Sequence, residues 1–327
     1  MTLKELGSGI YVDSEKTGRV KKLDSVIFDC DGVLIDVSNS YDLAIKRTVD
    51  FVARTVASVG GAEVTSEMID GFKRTGGFND EVDVTYALVL AAVAAKKKAE
   101  EFPRVAREVA QNADSSGIRS VEKYLDSQGL DLAEIKAKLA YPSKRFESPL
   151  SSMFDEAFYG RDLYTRLYNR PPKYWDTQGL IENDVVLVTR EILDQLRRKF
   201  GSRIAIVTGR GAISASHSLK SLFEEFDLKN SRFLEDEPRE MAKPNPSTLV
   251  ATIQGMQGTC SLFVGDSTED LIMARKAEEA GVPTLFCGIY GTSKDPQGKR
   301  AFFEQKGADM VLESVSLLPK TLNLVGA

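Results

Sequence analysis

The chain has 327 residues, room for about two domains or for one domain carrying a large insertion, and it needs no disulfide or metal staple to hold a core. Hydrophobic residues make up 42% and charged residues 28%, which excludes disorder and collagen-like structure. Lys and Arg number 43 against 48 Asp and Glu, and the resulting charge of −5 argues against nucleic acid as a partner, while leaving room for a small anionic substrate.

In chain order, residues 1–22 lack the apolar core of a signal peptide. No stretch reaches the roughly 18 apolar residues of a membrane helix, so a cytoplasmic chain without a membrane partner is expected. Ile10, Tyr11 and Val12 are strand-like, leaving the N-terminal segment as a tail or an added edge strand. The first apolar run covers residues 25–28, and the next does not arrive until residues 204–207, too far for a crossover. The stretch between them reads as helical. Ile45, Val49, Val52 and Val56 recur in steps of three and four from about Ser40, and residues 91–98 are rich in Ala and Lys, with Pro103 expected to end or kink that helix. Lys96, Lys97 and Lys98, followed by Glu100 and Glu101, read as a solvated helix face. Further helices are expected over 118–127, 132–140 and 153–168, before Pro171 and Pro172 break the pattern.

Beyond the insertion, a helix over 186–200 leads into the run at 204–207. Further runs occupy 261–264 and 283–286, with a weaker one at 310–312 and a last helix after it. A helix over 268–280 stops at Gly281 and Pro283. Continuous apolar runs suit strands covered on both faces, so the order of elements predicts a doubly wound α/β core.

Every sharp polar feature falls at or beyond the C-terminal end of one of these runs, the edge at which open α/β sheets bind ligands. Asp29-Cys30-Asp31-Gly32 places two carboxylates directly after a buried strand, one able to attack and one to transfer protons. Thr208-Gly209-Arg210-Gly211 offers a hydroxyl and flexible amides for phosphate oxygens. Lys243, flanked by Pro244 and Pro246, is a stiffly mounted point charge. Gly265-Asp266-Ser267-Thr268-Glu269-Asp270 supplies hard oxygen donors of the kind Mg²⁺ takes, although helix capping alone accounts for Ser267 and Glu269. Taken singly, each feature also fits an ordinary turn. The three cysteines, Cys30, Cys260 and Cys287, form neither a disulfide framework nor a zinc pattern, and the single histidine, His217, excludes a His-rich metal site.

The stretches DCDGVLID, VTGR, KPNP and GDSTED, in this order, resemble the four motifs of the haloacid dehalogenase (HAD) superfamily. The helical insertion between the first and second resembles the C1 cap of subfamily I, though it is longer than usual. The resemblance implies a Rossmann-like parallel sheet of about five strands flanked by helices. It divides the chain into core residues 1–36, a helical cap over 37–184 and the rest of the core over 185–327. It also implies residue roles. Asp29 becomes the nucleophile and Asp31 the general acid and base. Thr208, Gly209 and Lys243, with Asp29, Cys30 and Asp31, bind the phosphoryl group. Asp29, Asp31 (through its carbonyl) and Asp266 ligate Mg²⁺, supported by Asp270. An aspartate at position 31 looks like a phosphatase or phosphomutase rather than a dehalogenase, whose halide leaves without a proton.

Substrate choice is expected in the cap, where the loop over 73–80, with Arg74, Gly76, Gly77 and Asn79, resembles a loop that closes over the active site in related phosphatases. A plain helix–helix connection fits that loop equally well. Arg161, Tyr174 and Trp175 follow in the second half of the insertion, with Trp175 read as core, and His217 is read as a surface or packed residue. The leading expectation is a Mg²⁺-dependent phosphomonoesterase for a small phosphorylated metabolite, of the histidinol-phosphate, phosphoglycolate or sugar-phosphate class. A phosphomutase resembling β-phosphoglucomutase, or a binding protein that has lost turnover, are the alternatives. Monomer and homodimer stay open.

Overall fold

Each apolar run of the sequence is a strand. The computed structural model describes residues 3–78, 80–143 and 145–326. Its strands are β1 (Leu3–Gly7), β2 (Ile10–Asp13), β3 (Ser25–Phe28), β4 (Ile35–Asp36), β5 (Val185–Val186), β6 (Ile204–Thr208), β7 (Arg232–Phe233), β8 (Ser261–Gly265), β9 (Thr284–Ile289) and β10 (Met310–Leu312). Internal contacts divide the chain into two units, Met1–Val37 together with Asp184–Ala327, and Ser38–Asn183.

The first unit is built on an eight-stranded sheet of order β1-β2-β10-β9-β8-β3-β6-β7. Neighbours from β10 to β7 run parallel, while β2 is antiparallel to both β1 and β10. The sheet is therefore wider than the five strands expected, by the two-residue β7 and by the N-terminal hairpin. The hairpin forms because Ile10 and Val12 alternate inward and are buried against the core, with Val12 opposite Met310.

Successive residues of the central strands enter opposite cores. Val26, Phe28, Ile206 and Val264 pack on one face, and Ile27, Ala205, Val207 and Phe263 on the other, which is why these stretches are apolar without alternation. The helices of this unit are α1 (Thr17–Lys21) and, after the second unit's α2 to α8, α9 (Arg190–Phe200), α10 (Ala212–Leu219), α11 (Ser247–Gly255), α12 (Thr268–Glu279), α13 (Pro296–Gln305) and α14 (Leu318–Gly326). Residues of α9, α10 and α14 fill the first core, and those of α11, α12 and α13 the second.

Some expected helix bounds move, and α8 starts at Pro149 rather than at residue 153. The helix expected from residue 186 starts at Arg190, because Val185 and Val186 pair with Asp36 and Ile35 in a small antiparallel ribbon, and the Thr189 hydroxyl caps the helix by accepting from the Ile192 amide at 3.4 Å. This ribbon joins the two strands by which the chain leaves and re-enters the first unit.

The second unit is helical: α2 (Tyr41–Thr55), α3 (Ser66–Lys73), α4 (Glu81–Lys98), α5 (Phe102–Gln111), α6 (Ile118–Ser127), α7 (Ala133–Leu139) and α8 (Pro149–Tyr168). Residues 82–95 of α4 are buried on every side, which its small side chains allow, and it packs against α2, α5, α6 and α8. Pro103 neither ends nor kinks α4. That helix closes at Ala99 in a left-handed conformation, and Pro103 sits in the first turn of α5, where its missing N–H costs nothing. Among the described residues, no helix is long and apolar enough to cross a membrane.

Candidate active site

From β3 the chain proceeds to β6 and β7 on one side, and later to β8, β9 and β10 on the other. The strand order reverses beside β3, and ligands of open α/β sheets bind at such a switch point, beyond the C-terminal strand ends. Asp29 follows β3 and Asp266 follows β8, with Phe28 opposite Val264 in the register. The fold thus brings residues far apart in sequence to neighbouring strand ends.

Asp29 is 6% exposed. One of its oxygens, Oδ1, accepts from the Cys30 amide at 2.8 Å and lies 2.9 Å from Lys243 Nζ. The same ammonium is 2.7 Å from Asp270 Oδ1, so one lysine bridges two buried carboxylates. Asp270 is wholly buried, and its Oδ2 accepts from the amides of Asp266 and Ser267 and from the Ser267 hydroxyl, closing a capping box at the start of α12. One side chain thus closes the capping box and contacts Lys243. Burial pushes the Asp29 carboxyl up from the ordinary aspartate value, against the pull of Lys243, and the nearby acids add to the rise. Burial alone would lower Lys243, but Asp270 and Asp29 outweigh it and hold the ammonium firmly charged.

Carboxylate oxygens of Asp29, Asp266 and Asp270 lie within 4.8 Å of one another. This all-oxygen donor set fits a hard divalent cation such as Mg²⁺. Asp270 is committed through both oxygens to Lys243 and the α12 cap, which leaves Asp29 and Asp266 as the carboxylates able to ligate. Gly32 allows the close approach this needs. It has φ 73°, and a Cβ there would lie 2.3 Å from Asp266 Oδ2.

Thr208 is buried at the end of β6, and its hydroxyl oxygen accepts from the Arg210 amide at 3.3 Å, while Gly209 is exposed between them. Sequence reasoning passed over Arg210 and Asp184. The wholly buried Arg210 guanidinium reaches Asp31 Oδ1 and Asp184 Oδ2, each at 2.8 Å, and donates to Ser218 Oγ at 2.7 Å. The Arg in VTGR was the available signal, but nothing in the sequence pairs it with residues 31 and 184.

The second unit places the other candidates on the connection between α3 and α4. Arg74 is exposed at the end of α3, and Gly76 has φ 77°. Gly77 packs so closely on the backbone of Asp114 and Gly117 that a Cβ would fall 2.5 Å from the Asp114 carbonyl. Asn79 lies outside the described residues. Trp175 is half-buried, its indole N–H donating to the Met153 carbonyl at 2.9 Å and its ring 4.7 Å from that of Phe51. Exposed Arg161 pairs with Asp162 and Asp176. His217 is half-buried on α10, and all three cysteines are buried and free. Burial raises the Cys30 thiol further from its thiolate, so it is a packing group rather than a nucleophile.

In sequence, the chain is 25% identical over 298 residues to an imidazoleglycerol-phosphate dehydratase of Phytophthora nicotianae. The match takes in 88% of this chain and 50% of that protein, so the chain spans about half the length of this relative. In structure it is similar to phosphatase Tt82 from Thermococcus thioreducens, with a TM-score of 0.61 and 21% identity over 92% of this chain and 99% of that one. The two share a fold. A family model for haloacid dehalogenase-like hydrolases matches residues 23–278, from just before β3 into α12, and so takes in Asp29, Thr208, Lys243 and Asp266 alike. The chain belongs to the haloacid dehalogenase-like hydrolases.

Proposed function

We propose that this hydrolase is a phosphomonoesterase for a small phosphorylated metabolite, working through an aspartyl-phosphate on Asp29 with Mg²⁺ as cofactor. The observation that carries the reading is the buried ammonium of Lys243 between Asp29 and Asp270, 2.9 and 2.7 Å away. A carboxylate nucleophile repels a phosphate dianion, and a fixed cation at its side offsets that repulsion as charge develops.

In the proposed reaction an oxygen of Asp29 attacks phosphorus while the ester P–O bond breaks, and Asp31 gives a proton to the departing alkoxide. Asp31 then takes a proton from water, the water oxygen attacks phosphorus, and the bond to Asp29 breaks to release inorganic phosphate. Lys243, Thr208 and the amide of Gly209 hold the phosphoryl oxygens. The Cys30 amide, assigned to the same phosphoryl-binding set, also donates to Asp29 Oδ1 and so orients the nucleophile. Arg210 holds Oδ1 of Asp31, the residue assigned the proton transfers. Asp29, Asp266 and the carbonyl of Asp31 would hold Mg²⁺, which supplies positive charge beside the nucleophile and the phosphoryl group.

The helical unit Ser38–Asn183 is assigned the part of the cap, with substrate selection in the connection that carries Arg74, Gly76 and Gly77. The dehydratase relative's name favours the imidazole-bearing phosphate monoesters, already expected as the histidinol-phosphate class, for testing beside phosphoglycolate and sugar phosphates.

The test is phosphate release from such a panel, with Mg²⁺ and with EDTA, beside Asp29→Asn. Release that needs Mg²⁺ and falls at least about 10³-fold in the variant is expected. A folded, Mg²⁺-binding protein that releases phosphate from no ester sinks the reading, and turnover that needs a bisphosphate activator makes the chain a phosphomutase.

A further inference from the structure

Lys299 lies on α13, beyond the stretch matched by the family model, and no motif of the sequence points to it. Its ammonium is 2.7 Å from Asp266 Oδ2, and the two side chains are 20% and 24% exposed. The same carboxylate is backed by Gly32, where no side chain fits. The segment leading into α13 is tied to this loop a second time, because the Thr292 hydroxyl donates to the Gly32 carbonyl at 3.0 Å. Asp295 caps α13 by accepting from the Gly298 amide at 3.0 Å, which fixes the helix that carries Lys299. Residues 292–299 thus grip the turn after β3 and the acid after β8 together.

We propose that Lys299 is a positioning residue of the metal site. By engaging Asp266 Oδ2 it selects the side-chain rotamer that presents Oδ1 to the cation. This inference rests on the metal site of the proposed function. An unrestrained aspartate samples several rotamers and loses that freedom when it ligates. A partner that already holds the outer oxygen removes this cost, and loss of such partners typically weakens metal binding about 10- to 100-fold. The ammonium charge acts in the opposite sense, since it repels a divalent cation. The proposal is that orientation outweighs charge, because the contact holds the carboxylate that would ligate.

The experiment is calorimetric titration of MgCl₂ into the full-length protein, wild type, Lys299→Met and Lys299→Arg. Met keeps the aliphatic stem and removes the donor, whereas Arg keeps a cationic donor. The Met variant is expected to bind Mg²⁺ about 10-fold more weakly, and the Arg variant to stay within about threefold of wild type. Melting temperatures in EDTA should stay within about 2 °C of wild type, since a pair this near the surface contributes little to stability. A Met variant that binds Mg²⁺ as tightly as wild type, or more tightly, overturns the inference and leaves the metal reading standing. A wild-type chain that binds no Mg²⁺ at millimolar concentration overturns both.

Discussion

Arg210 NH2 lies 2.8 Å from Asp31 Oδ1, and no part of the arginine side chain is exposed. The guanidinium is a fork with one prong on the proposed acid–base residue and the other on Asp184, at the return into the first unit. Desolvating an arginine is costly, and here ion pairs with two carboxylates and a hydrogen bond to the Ser218 hydroxyl offset that cost.

Arg210→Met should therefore lower stability by about 3–5 kcal/mol, because it removes the buried guanidinium's ion pairs with Asp184 and Asp31. Arg210→Lys should recover part of that loss, since an ammonium lacks the fork that serves two carboxylates at once. Urea unfolding of the three proteins measures this. Equal midpoints for all three would show that the network holds nothing together.

Gly32→Ala tests the closeness of the Asp29 and Asp266 loops. The left-handed backbone alone costs about 1–2 kcal/mol for an alanine, and the new methyl would fall on Asp266 Oδ2. Reduced stability should come with weaker Mg²⁺ binding, seen by urea unfolding and by calorimetry on the same preparation. A variant with native stability and native Mg²⁺ affinity would contradict the contact.

Asp24, just before β3, predicts an acid-sensitive tie between β3 and β8. Burial alone would raise its carboxyl, but the Thr259 hydroxyl at 2.8 Å, the amides of Thr259 and Cys260 and the Ser25 hydroxyl together hold it below the ordinary value. A depressed folded-state pKa stabilises above the unfolded value of about 3.9, and the contribution is lost as pH falls through the folded value. Asp24→Asn should cost about 1–2 kcal/mol at pH 7 and progressively less below pH 4. A pH-independent difference between the two proteins would rule out the charged form as the source.

Ile10→Ala measures what the N-terminal hairpin contributes. Ile10 is fully buried beside β10, so a loss of about 2–4 kcal/mol is expected in thermal or urea unfolding. A change below about 0.5 kcal/mol would mark the hairpin as a loosely attached edge.

The core was largely legible because parallel strands buried on both faces run apolar along most of their length, as residues 26–28, 204–207 and 262–264 do. The hairpin was only half legible: Ile10 and Val12 signal a strand, but the choice between tail and edge depends on whether β10 offers a free edge. Pro103 was misplaced because a proline fits both after a helix and in the first turn of the next, and the left-handed Ala99 that settles the matter carries no glycine signal.

By itself the sequence determined the α/β core, the helical insertion and the strand ends that carry Asp29, Thr208 and Asp266, because burial periodicity and turn chemistry are local and leave local marks. The tertiary structure alone decided which charges meet. Lys243 bridges Asp29 and Asp270, Arg210 bridges Asp31 and Asp184, and Lys299 holds Asp266. An ion pair across strand ends depends on sheet order and on the direction of a buried side chain, and neither leaves a pattern in the residues between its partners.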